Sequence, residues 1–483
     1  MDCARVEIDA RRRIAEISPL LFGSFAEHLG RCIYGGLYDP GSPLADAAGF
    51  RLDVLEAVKE LGVRMVRYPG GNFASGYHWR DGVGRNRPRR LELAWRSTEP
   101  NLFGTDEFLA WCEQAGAEPM LVVNLGSGTP EEAAGWVEYC NRPPGTQWSD
   151  LRAAHGHPAP YRVRWWGLGN EMDGPWQIGH LDAASYGRLA DETARRMRAV
   201  DPELKLVLCG SSGTELSSYL SWDRVALEAS WDSIDCLSLH RYLHEEGDPE
   251  RYLASGLLLE EQLLATWATV EHVRAQKRSS KRVRLCWDEW NVWSGQWTPP
   301  NWEVAPPLLE ENYTLADALV VAQWLNLFLR HCDKLEVACF AQLVNAIAPL
   351  HTRRDGLLKQ TTFYPIALFG QLAKGEALEL WAEGPSYRCG DLEVPQFDFS
   401  ACQSGERGQL FAVNRSDQPA ELEISWTDPP RSLSGLQQLS GHLEDRNLWG
   451  AEAVRTVQLP APALEAGRCR LQVPGHSLSC LSW

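Results

Sequence analysis

The stretch LDVLEAVKELGVRMVRY, at residues 52–68, contains the unit that decides the fold of this chain. Its first half places leucine and valine at helical spacing, and this stripe stops at Gly62, a residue type that commonly ends helices. Its second half, VRMVRY, is too apolar to show alternation, which is typical of a strand buried on both faces of a parallel sheet. The stretch therefore predicts a helix that leads directly into a buried parallel strand.

Similar units recur between about residues 18 and 372, where apolar runs alternate with longer segments of helical period. The TPEE sequence at residues 129–132 is typical of one such helix start, and it predicts a capping box with proline at the first helical position. Eight strand–helix repeats predict a (β/α)₈ TIM barrel with insertions. A doubly wound sheet is the alternative, but no glycine fingerprint supports it. The eight predicted strands are Leu20–Phe25, Val63–Tyr68, Met120–Asn124, Val163–Leu168, Leu206–Cys209, Ile234–His240, Val283–Trp287 and Val337–Gln342.

The pattern changes after about residue 373, where helical period disappears. Short alternating runs separated by Gly, Pro, Ser and Asp predict an antiparallel all-β sandwich, jelly-roll-like, at the C-terminal end. The alternating VEI at residues 6–8 has the same character and is expected to join this sheet. We therefore expect an N-terminal strand segment at 1–17, a catalytic barrel at 18–372 and a β-sandwich at 373–483.

Composition excludes several classes of protein. The chain has 47 Lys and Arg against 64 Asp and Glu, a net charge of −17, which repels phosphate backbones and argues against a nucleic-acid partner. Thirteen cysteines without a C-x-x-C pair fit free thiols in a reducing compartment. No run reaches the ~18 apolar residues of a spanning helix, and the first residues lack the apolar stretch of a secretion signal. A cytoplasmic protein with no membrane partner is expected.

Chemistry in such a barrel gathers at the carboxyl ends of the strands. Two glutamates, Glu171 after the fourth strand and Glu289 after the seventh, are expected to face each other there. Glycoside hydrolysis requires such a pair, one as a protonated acid and one as nucleophile or base. A solvated pair is the alternative, but Asn170 and nearby tryptophans favour the catalytic interpretation. No H-E-x-x-H or Cys/His pair predicts a metal or cofactor, and isolated tryptophans such as Trp95 and Trp267 are expected in the core.

Longer motifs around these glutamates resemble a known family. GLGNEMDGPW at 167–176 and DEWNVW at 288–293 are similar to the two catalytic stretches of the α-L-arabinofuranosidases of glycoside hydrolase family 51. RYPGGNF at 67–73, AQLVN at 341–345 and PGHS at 474–477 match further motifs of that family, so the resemblance runs nearly end to end.

The resemblance implies a retaining mechanism in which Glu171 is the acid/base and Glu289 the nucleophile. Retention requires the carboxyl groups to lie ~5–5.5 Å apart, and Glu171 must have a raised pKa to hold its proton. It also implies that Tyr242 orients Glu289, that Trp293 forms a wall of the sugar subsite, and that Arg67 pairs with a carboxylate, with His240 in a supporting position. The residues implied to bind furanose hydroxyls are Glu27, Asn72, Asn170 and Gln342.

The sequence departs from the family pattern at three places on the leaving-group side. Leu243 replaces a common aromatic residue, Arg241 replaces a small polar residue, and Ser294–Trp297 has little resemblance to relatives. The resemblance implies an intracellular, exo-acting α-L-arabinofuranosidase that cleaves terminal arabinofuranose from oligosaccharides and, by family analogy, a hexameric homo-oligomer. The alternatives are another hydrolase on the same barrel, such as an endo-glucanase or xylosidase, and an inactive carbohydrate-binding protein.

Overall fold

The computed structural model describes residues 3–296 and 301–483. The α-helices in these ranges are α1 (Leu52–Leu61), α2 (Thr105–Ala115), α3 (Pro130–Asn141), α4 (Gln147–Ala154), α5 (Ala183–Val200), α6 (Ser221–Ser230), α7 (Pro249–Ala254), α8 (Gly256–Gln276), α9 (Leu315–Arg330) and α10 (Phe363–Leu372). The first strands are β1 (Cys3–Ile8), β2 (Arg13–Glu16), β3 (Gly23–Phe25), β4 (Met65–Tyr68), β5 (Arg90–Glu92), β6 (Ser97–Glu99), β7 (Glu118–Val123), β8 (Trp165–Leu168), β9 (Lys205–Leu208), β10 (Cys236–Leu243), β11 (Arg284–Val292) and β12 (Leu335–Phe340). The later strands are β13 (Leu350–Arg353), β14 (Gly356–Lys359), β15 (Glu376–Leu378), β16 (Trp381–Glu383), β17 (Ser386–Cys389), β18 (Leu392–Pro395), β19 (Phe397–Ser404), β20 (Arg407–Asn414), β21 (Ala420–Trp426), β22 (Gly435–Ser440), β23 (Val457–Leu459), β24 (Arg468–Val473) and β25 (Ser477–Ser482).

Eight parallel strands close into a barrel in the order β3, β4, β7, β8, β9, β10, β11, β12. The predicted TIM barrel is confirmed, and each of its strands overlaps one of the eight predicted runs. Strands β10 and β11 continue past the predicted ends, so Glu289 lies inside β11 rather than after it. The pairing register shifts between Ser238 and His240, and again between Trp287 and Trp290. Such bulges turn side chains out of simple alternation, and here they flank the strand positions that carry the polar groups.

Helix ends follow the local sequence signals. Helix α1 ends where Gly62 adopts a left-handed backbone with φ of 75°, which glycine accepts without a Cβ clash. Helix α3 begins with Thr129, whose side chain accepts the backbone N–H of Glu132 at 3.1 Å. The prediction of a complete capping box is wrong, because the carboxylate of Glu132 does not accept the backbone N–H of Thr129. It lies instead 3.0 Å from His78 Nδ1. A charged partner competes successfully with a backbone amide for that carboxylate.

Most strands after residue 373 belong to two larger sheets, and β17 and β18 pair in a separate hairpin, so the predicted all-strand C-terminal region is confirmed. One sheet has the order β16-β1-β21-β24 and the other β2-β15-β19-β20-β25-β22-β23. Strands β21 and β24 alternate buried and more exposed positions, as expected for a sheet with one face on the core. The prediction of purely antiparallel pairing is wrong, because β1 runs parallel to β21. No hairpin joins these two strands, since the barrel lies between them in the chain, so no tight turn requires them to be antiparallel.

Polar contacts join the sandwich to the barrel. In helix α9, Asn326 Nδ2 donates to Asp398 Oδ2 at 2.7 Å, and Arg330 Nη1 lies 2.9 Å from Asp398 Oδ1. At the start of the same helix, Leu315 N donates to the carbonyl of Asp445 at 2.9 Å. The thirteen cysteines have free thiols, and every one except Cys3 is buried. In the described ranges, the helices are all too short or too polar to cross a bilayer.

Candidate active site

The two predicted catalytic glutamates meet at the carboxyl end of the barrel. Glu171 follows β8 with a left-handed φ of 45°, and Glu289 projects from β11. One carboxylate oxygen of each residue and one ring nitrogen of His240 all lie within 4.8 Å of one another. The side chains are largely buried, with Glu171 8% and Glu289 6% exposed. Barrel closure therefore brings together two carboxyl groups that are far apart in the sequence.

Glu289 is held from both sides. Arg67 Nη1 donates to its Oε1 at 2.9 Å, and the Tyr242 hydroxyl donates to its Oε2 at 2.9 Å. The backbone also approaches closely, since a Cβ on Gly71 would lie only 2.7 Å from Glu289 Oε1. These contacts hold the carboxylate of Glu289 in a single orientation.

Arg67 is the centre of a buried polar network. Its Nε lies 3.0 Å from Asp288 Oδ2, and its Nη2 donates to Asn170 Oδ1 at 2.6 Å. Burial would raise the pKa of Asp288, but the Arg67 guanidinium and His240 hold it below its usual value. The guanidinium fork thus fixes residues from β8 and β11 relative to each other, which a lysine could not do.

Glu171 is in a different environment. Its Oε2 accepts the indole N–H of Trp176 at 2.6 Å, and His240 Nδ1 lies 3.0 Å from its Oε1. Burial raises the pKa of Glu171, the charge of Glu289 raises it further, and the bonds from His240 and Trp176 oppose the shift. The net effect is a pKa above the usual value for Glu171, which is the direction that a catalytic acid requires.

His240 lies between the acidic groups. Burial alone would lower its pKa, but Glu289, Asp288 and Glu171 together raise it well above the usual value. Its Nε2 is 3.4 Å from Asp288 Oδ1, and its Nδ1 is 3.6 Å from Glu289 Oε2. The surrounding carboxylates therefore favour the charged imidazolium form of the ring.

A second cluster surrounds Glu27, which follows β3. Its Oε1 accepts the backbone N–H of Phe73 at 3.0 Å and the indole N–H of Trp95 at 2.9 Å. Its Oε2 accepts Gln342 Nε2 at 2.8 Å, and Gln342 Oε1 accepts the backbone N–H of Glu27 at 3.2 Å. Burial raises the pKa of Glu27 to about 8, although the bonds from Phe73 and Trp95 oppose the shift.

Several polar atoms in the site are buried without a partner. Asn72 Oδ1 and Asn170 Nδ2 are inaccessible to solvent and bond to no group in residues 3–296 or 301–483. Unpaired buried groups of this kind are costly unless a ligand satisfies them, and sugar hydroxyls have the matching donors and acceptors. Trp293 packs edge-on against Tyr242, with ring centroids 6.1 Å apart, and so forms part of the wall beside the nucleophile.

All ten sequence-predicted residues lie in this region, and three further residues join them. Trp95 lies in the core, as predicted, and it also donates to Glu27. It lies on the connection between β5 and β6, where no local pattern indicates that second contact. Trp176 belongs to the motif that contains Glu171, and its spacing alone could not indicate a hydrogen bond. Asp288 directly precedes Glu289, and its pairing with Arg67 depends on the bulge in β11.

The residues that depart from the family pattern make ordinary hydrogen bonds within the protein. Arg241 Nη1 donates to Thr214 Oγ1, and the carbonyl of the buried Leu243 accepts the backbone N–H of Trp293 at 2.8 Å. Ser294 Oγ donates to Glu311 Oε1 at 2.6 Å, whereas Trp297 lies outside the described residues.

A metal could find ligands only in the catalytic group itself, as far as residues 3–296 and 301–483 show. Glu171, His240 and Glu289 have the spacing for it. The chemistry is unfavourable, because a protonated imidazole has no free lone pair and the Arg67 guanidinium repels a cation. The donor set therefore suits proton transfer better than metal binding.

Comparison with known proteins gives consistent matches along the chain. The family model described as "Alpha-L-arabinofuranosidase 1 domain" matches residues 57–253, and the "Alpha-L-arabinofuranosidase C-terminal domain" matches residues 288–477. The chain is 45% identical to an intracellular exo-α-(1→5)-L-arabinofuranosidase 1 of Bacillus subtilis, over 88% of this chain and 87% of the relative. An intracellular exo-α-(1→5)-L-arabinofuranosidase of Streptomyces lividans is 46% identical over 90% of this chain and 67% of its own length.

Solved structures agree with the sequence matches. A family 51 α-L-arabinofuranosidase from Bifidobacterium longum superposes with a TM-score of 0.95 at 38% identity, covering 99% of both chains. Sequence identity at this level over the full length indicates common family membership and not only a shared fold. The chain therefore belongs to the α-L-arabinofuranosidases of glycoside hydrolase family 51.

Proposed function

We propose that this arabinofuranosidase is a retaining, exo-acting enzyme with Glu289 as nucleophile and Glu171 as acid/base. The observation that carries the proposal is the approach of one oxygen from each carboxyl group to within 4.8 Å. Inverting enzymes need about 6.5–9.5 Å between the two groups to hold a water molecule, whereas retaining enzymes need about 5–5.5 Å. The spacing leaves room for direct attack on the sugar and none for an intervening water.

In the first step a Glu289 oxygen forms a bond to the anomeric carbon while the bond to the leaving oxygen breaks. Glu171 transfers its proton to that oxygen, and the aglycone departs as an alcohol. The charge of Glu289 is consumed in the ester, which removes one of the influences that raise the pKa of Glu171. Glu171 is then able to take a proton from water, whose oxygen attacks the anomeric carbon and releases Glu289 and the sugar.

Exo action is supported by the way the sugar side of the site is closed. Glu27 is buried there and accepts from both Trp95 and Gln342, and this closed cluster suits a terminal sugar better than a continuing chain. We propose Glu27, Asn72, Asn170 and Gln342 as the groups that bind its hydroxyls. Arabino-oligosaccharides are the proposed substrates, since relatives named above carry (1→5)-arabinofuranosidase names.

The relatives also support proposals about where and how the enzyme works. Both relatives are named as intracellular enzymes, and we propose a cytoplasmic location for this chain and a part in arabinan catabolism. Family analogy supports a homo-oligomer, with a hexamer as the proposed state. We further propose the divisions 1–17, 18–372 and 373–483 as the N-terminal strand segment, the catalytic barrel and the sandwich.

A panel of nitrophenyl glycosides tests the substrate class. Turnover of the α-L-arabinofuranoside should exceed that of glucosides and xylosides by orders of magnitude, and NMR should detect the α-anomer of arabinose as the first product. Initial release of the β-anomer would contradict retention. Dominant turnover of a xyloside or of a glucan would favour the endo-glucanase or xylosidase alternative, and sugar binding without turnover would favour the inactive binding protein.

Variants at the two glutamates test the roles. Glu289→Ala should lose several orders of magnitude in turnover, and azide should restore it with formation of the β-azide. Glu171→Ala should retain far more activity on nitrophenyl substrates than on oligosaccharides, because a good leaving group needs no proton. Glu336→Ala, a change on strand β12 at the opposite end of the barrel, is the matched control and should leave both activities near wild type.

A further inference from the structure

A cavity of about 700 Å³ lies on the C-terminal sandwich, separate from the catalytic pocket. Its floor includes Trp426 at the end of β21 and Trp483 at the end of the chain, and the loop at residues 427–434 forms one wall. Nothing in the catalytic arrangement uses these residues. The volume lies within the range of about 300–1,000 Å³ that is usual for small-molecule sites.

The aromatic floor is rigidly held. The rings of Trp426 and Trp483 meet at 72°, with centroids 5.8 Å apart, and their side chains are 8% and 6% exposed. Trp483 exchanges two backbone hydrogen bonds of 3.1 Å with Gly408, and a Cβ on Gly408 would lie 2.1 Å from the Trp483 ring. The absence of a side chain at Gly408 therefore lets the indole rest directly on strand β20. The two rings are therefore fixed in position, and a small part of each faces the cavity.

The rim carries side-chain N–H groups that donate no hydrogen bond to any described residue. Over the described ranges, Arg407 forms no ion pair, and Gln409 uses its Oε1 to accept from Ser482 but donates through Nε2 to nothing. Arg431 is 90% exposed at its side chain and has Glu406 at 3.9 Å as its ion-pair partner. These donors border the apolar floor and remain available to a ligand.

The charge of the cavity is balanced, although the chain as a whole is strongly acidic. The guanidinium groups of Arg407 and Arg431 are offset by the carboxylates of Glu406 and Asp428, all four of which line the cavity. A polyanion would find no net positive field here, and a polycation no net negative one. A neutral ligand with an apolar face and several hydroxyls matches both the floor and the rim.

We propose that this cavity, which we call the sandwich site, binds a neutral oligosaccharide without cleaving it. The C–H face of a sugar ring would pack against Trp426 and Trp483, and its hydroxyls would accept from Arg407, Gln409 and Arg431. The identity of the sugar as an arabinofuranosyl oligosaccharide rests on the proposed function. A second point of attachment raises the local concentration of longer chains at the enzyme and leaves small substrates unaffected.

Calorimetry on Glu289→Ala enzyme tests the proposal, because this variant does not consume the ligand. Linear arabinohexaose is titrated with arabinose present at a concentration that saturates the catalytic pocket. One remaining binding event per chain is expected. The double change Arg407→Ala and Arg431→Ala, in exposed rim positions, should weaken it about tenfold or more through the loss of charged donors. Arg388→Ala, an exposed arginine on β17 outside the cavity, is the control and should bind as before.

The same rim variants in the otherwise wild-type enzyme should hydrolyse nitrophenyl arabinofuranoside at the normal rate but lose efficiency on long arabinan chains. Absence of binding beside the saturated catalytic pocket would overturn the inference, as would rim variants that bind normally. A change in molar mass caused by the rim variants would also overturn it, because a second copy of the chain would then cover the cavity. Failure of wild-type enzyme to hydrolyse arabinofuranosides would instead refute the proposed function, with the calorimetric result judged separately.

Discussion

Replacement of Arg67 by methionine separates the structural and chemical parts of the site. Arg67 is 1% exposed and contacts three groups, which are Glu289 at 2.9 Å, Asp288 at 3.0 Å and Asn170 at 2.6 Å. Methionine has a similar length without charge or donors. The substitution therefore leaves two carboxylates buried beside each other with His240 as their remaining basic neighbour.

The size of the effect follows from these contacts. Removal of one partner from a buried ion pair costs about 3–5 kcal/mol, which is a large part of a typical unfolding free energy of about 5–15 kcal/mol. The nucleophile additionally loses a charged hydrogen bond of about 1.5–3 kcal/mol, which corresponds to a decrease of about 10- to 150-fold in kcat/KM. Arg67→Lys should fall between wild type and the methionine variant, because one ammonium group cannot contact all three acceptors.

The assay combines denaturant unfolding with kcat/KM for nitrophenyl arabinofuranoside, measured where the variant is still folded. Arg51→Met is the matched control, since Arg51 is 0% exposed and paired with Asp53 at 2.7 Å, at the start of helix α1. The control should lose stability but retain kcat/KM. If Arg67→Met loses stability and yet retains kcat/KM within about threefold, Arg67 does not act on the nucleophile and the reasoning is refuted.

Three further predictions concern single contacts in the site. Trp176→Phe removes a hydrogen bond that lowers the pKa of Glu171, so the alkaline limb of kcat/KM should move to higher pH; a limb that moves down would contradict this. Burial raises the pKa of Glu27 from 4.5 to about 8, so the folded state loses stability as pH rises through this range. Glu27→Gln removes this pH-dependent loss of stability. The unfolding free energy of the variant relative to wild type should therefore rise by about 3–4 kcal/mol between pH 5 and pH 8. If the two unfolding free energies differ by the same amount at both pH values, Glu27 is not a buried protonated carboxyl. Tyr242→Phe removes one donor to Glu289 and should lower kcat about tenfold or more with little change in KM, whereas a change in KM alone would assign Tyr242 to substrate binding.

Local signals in the sequence predicted much of the fold because they act over short distances. Gly62 ends α1, as its backbone freedom requires, and each predicted apolar run overlaps a barrel strand. The positions of Glu171 and Glu289 at one rim follow from the barrel itself, since all its strands have their carboxyl ends on the same side. Where a competing contact exists, the local signal failed, as it did when Glu132 paired with His78 instead of completing its capping box.

The remaining features depend on groups that only folding brings together. Trp95 contacts Glu27 from the connection between β5 and β6, and the sequence around either residue does not indicate this contact. The pairing of Arg67 with Asp288 requires the bulge that turns the side chains of β11, and the parallel pairing of β1 with β21 requires the whole barrel to lie between them. None of these contacts follows from a hydrophobic period or a residue spacing in the sequence.

The amino-acid sequence by itself determined the barrel, the strand-rich C-terminal region and the family of this protein, because hydrophobic period, turn residues and long motifs are all local or directly comparable. Only the tertiary structure decided the separation of the two carboxyl groups and the raised pKa values of Glu171 and His240. Those properties depend on distance and burial, and both are set by the closure of the barrel rather than by any one segment of the chain.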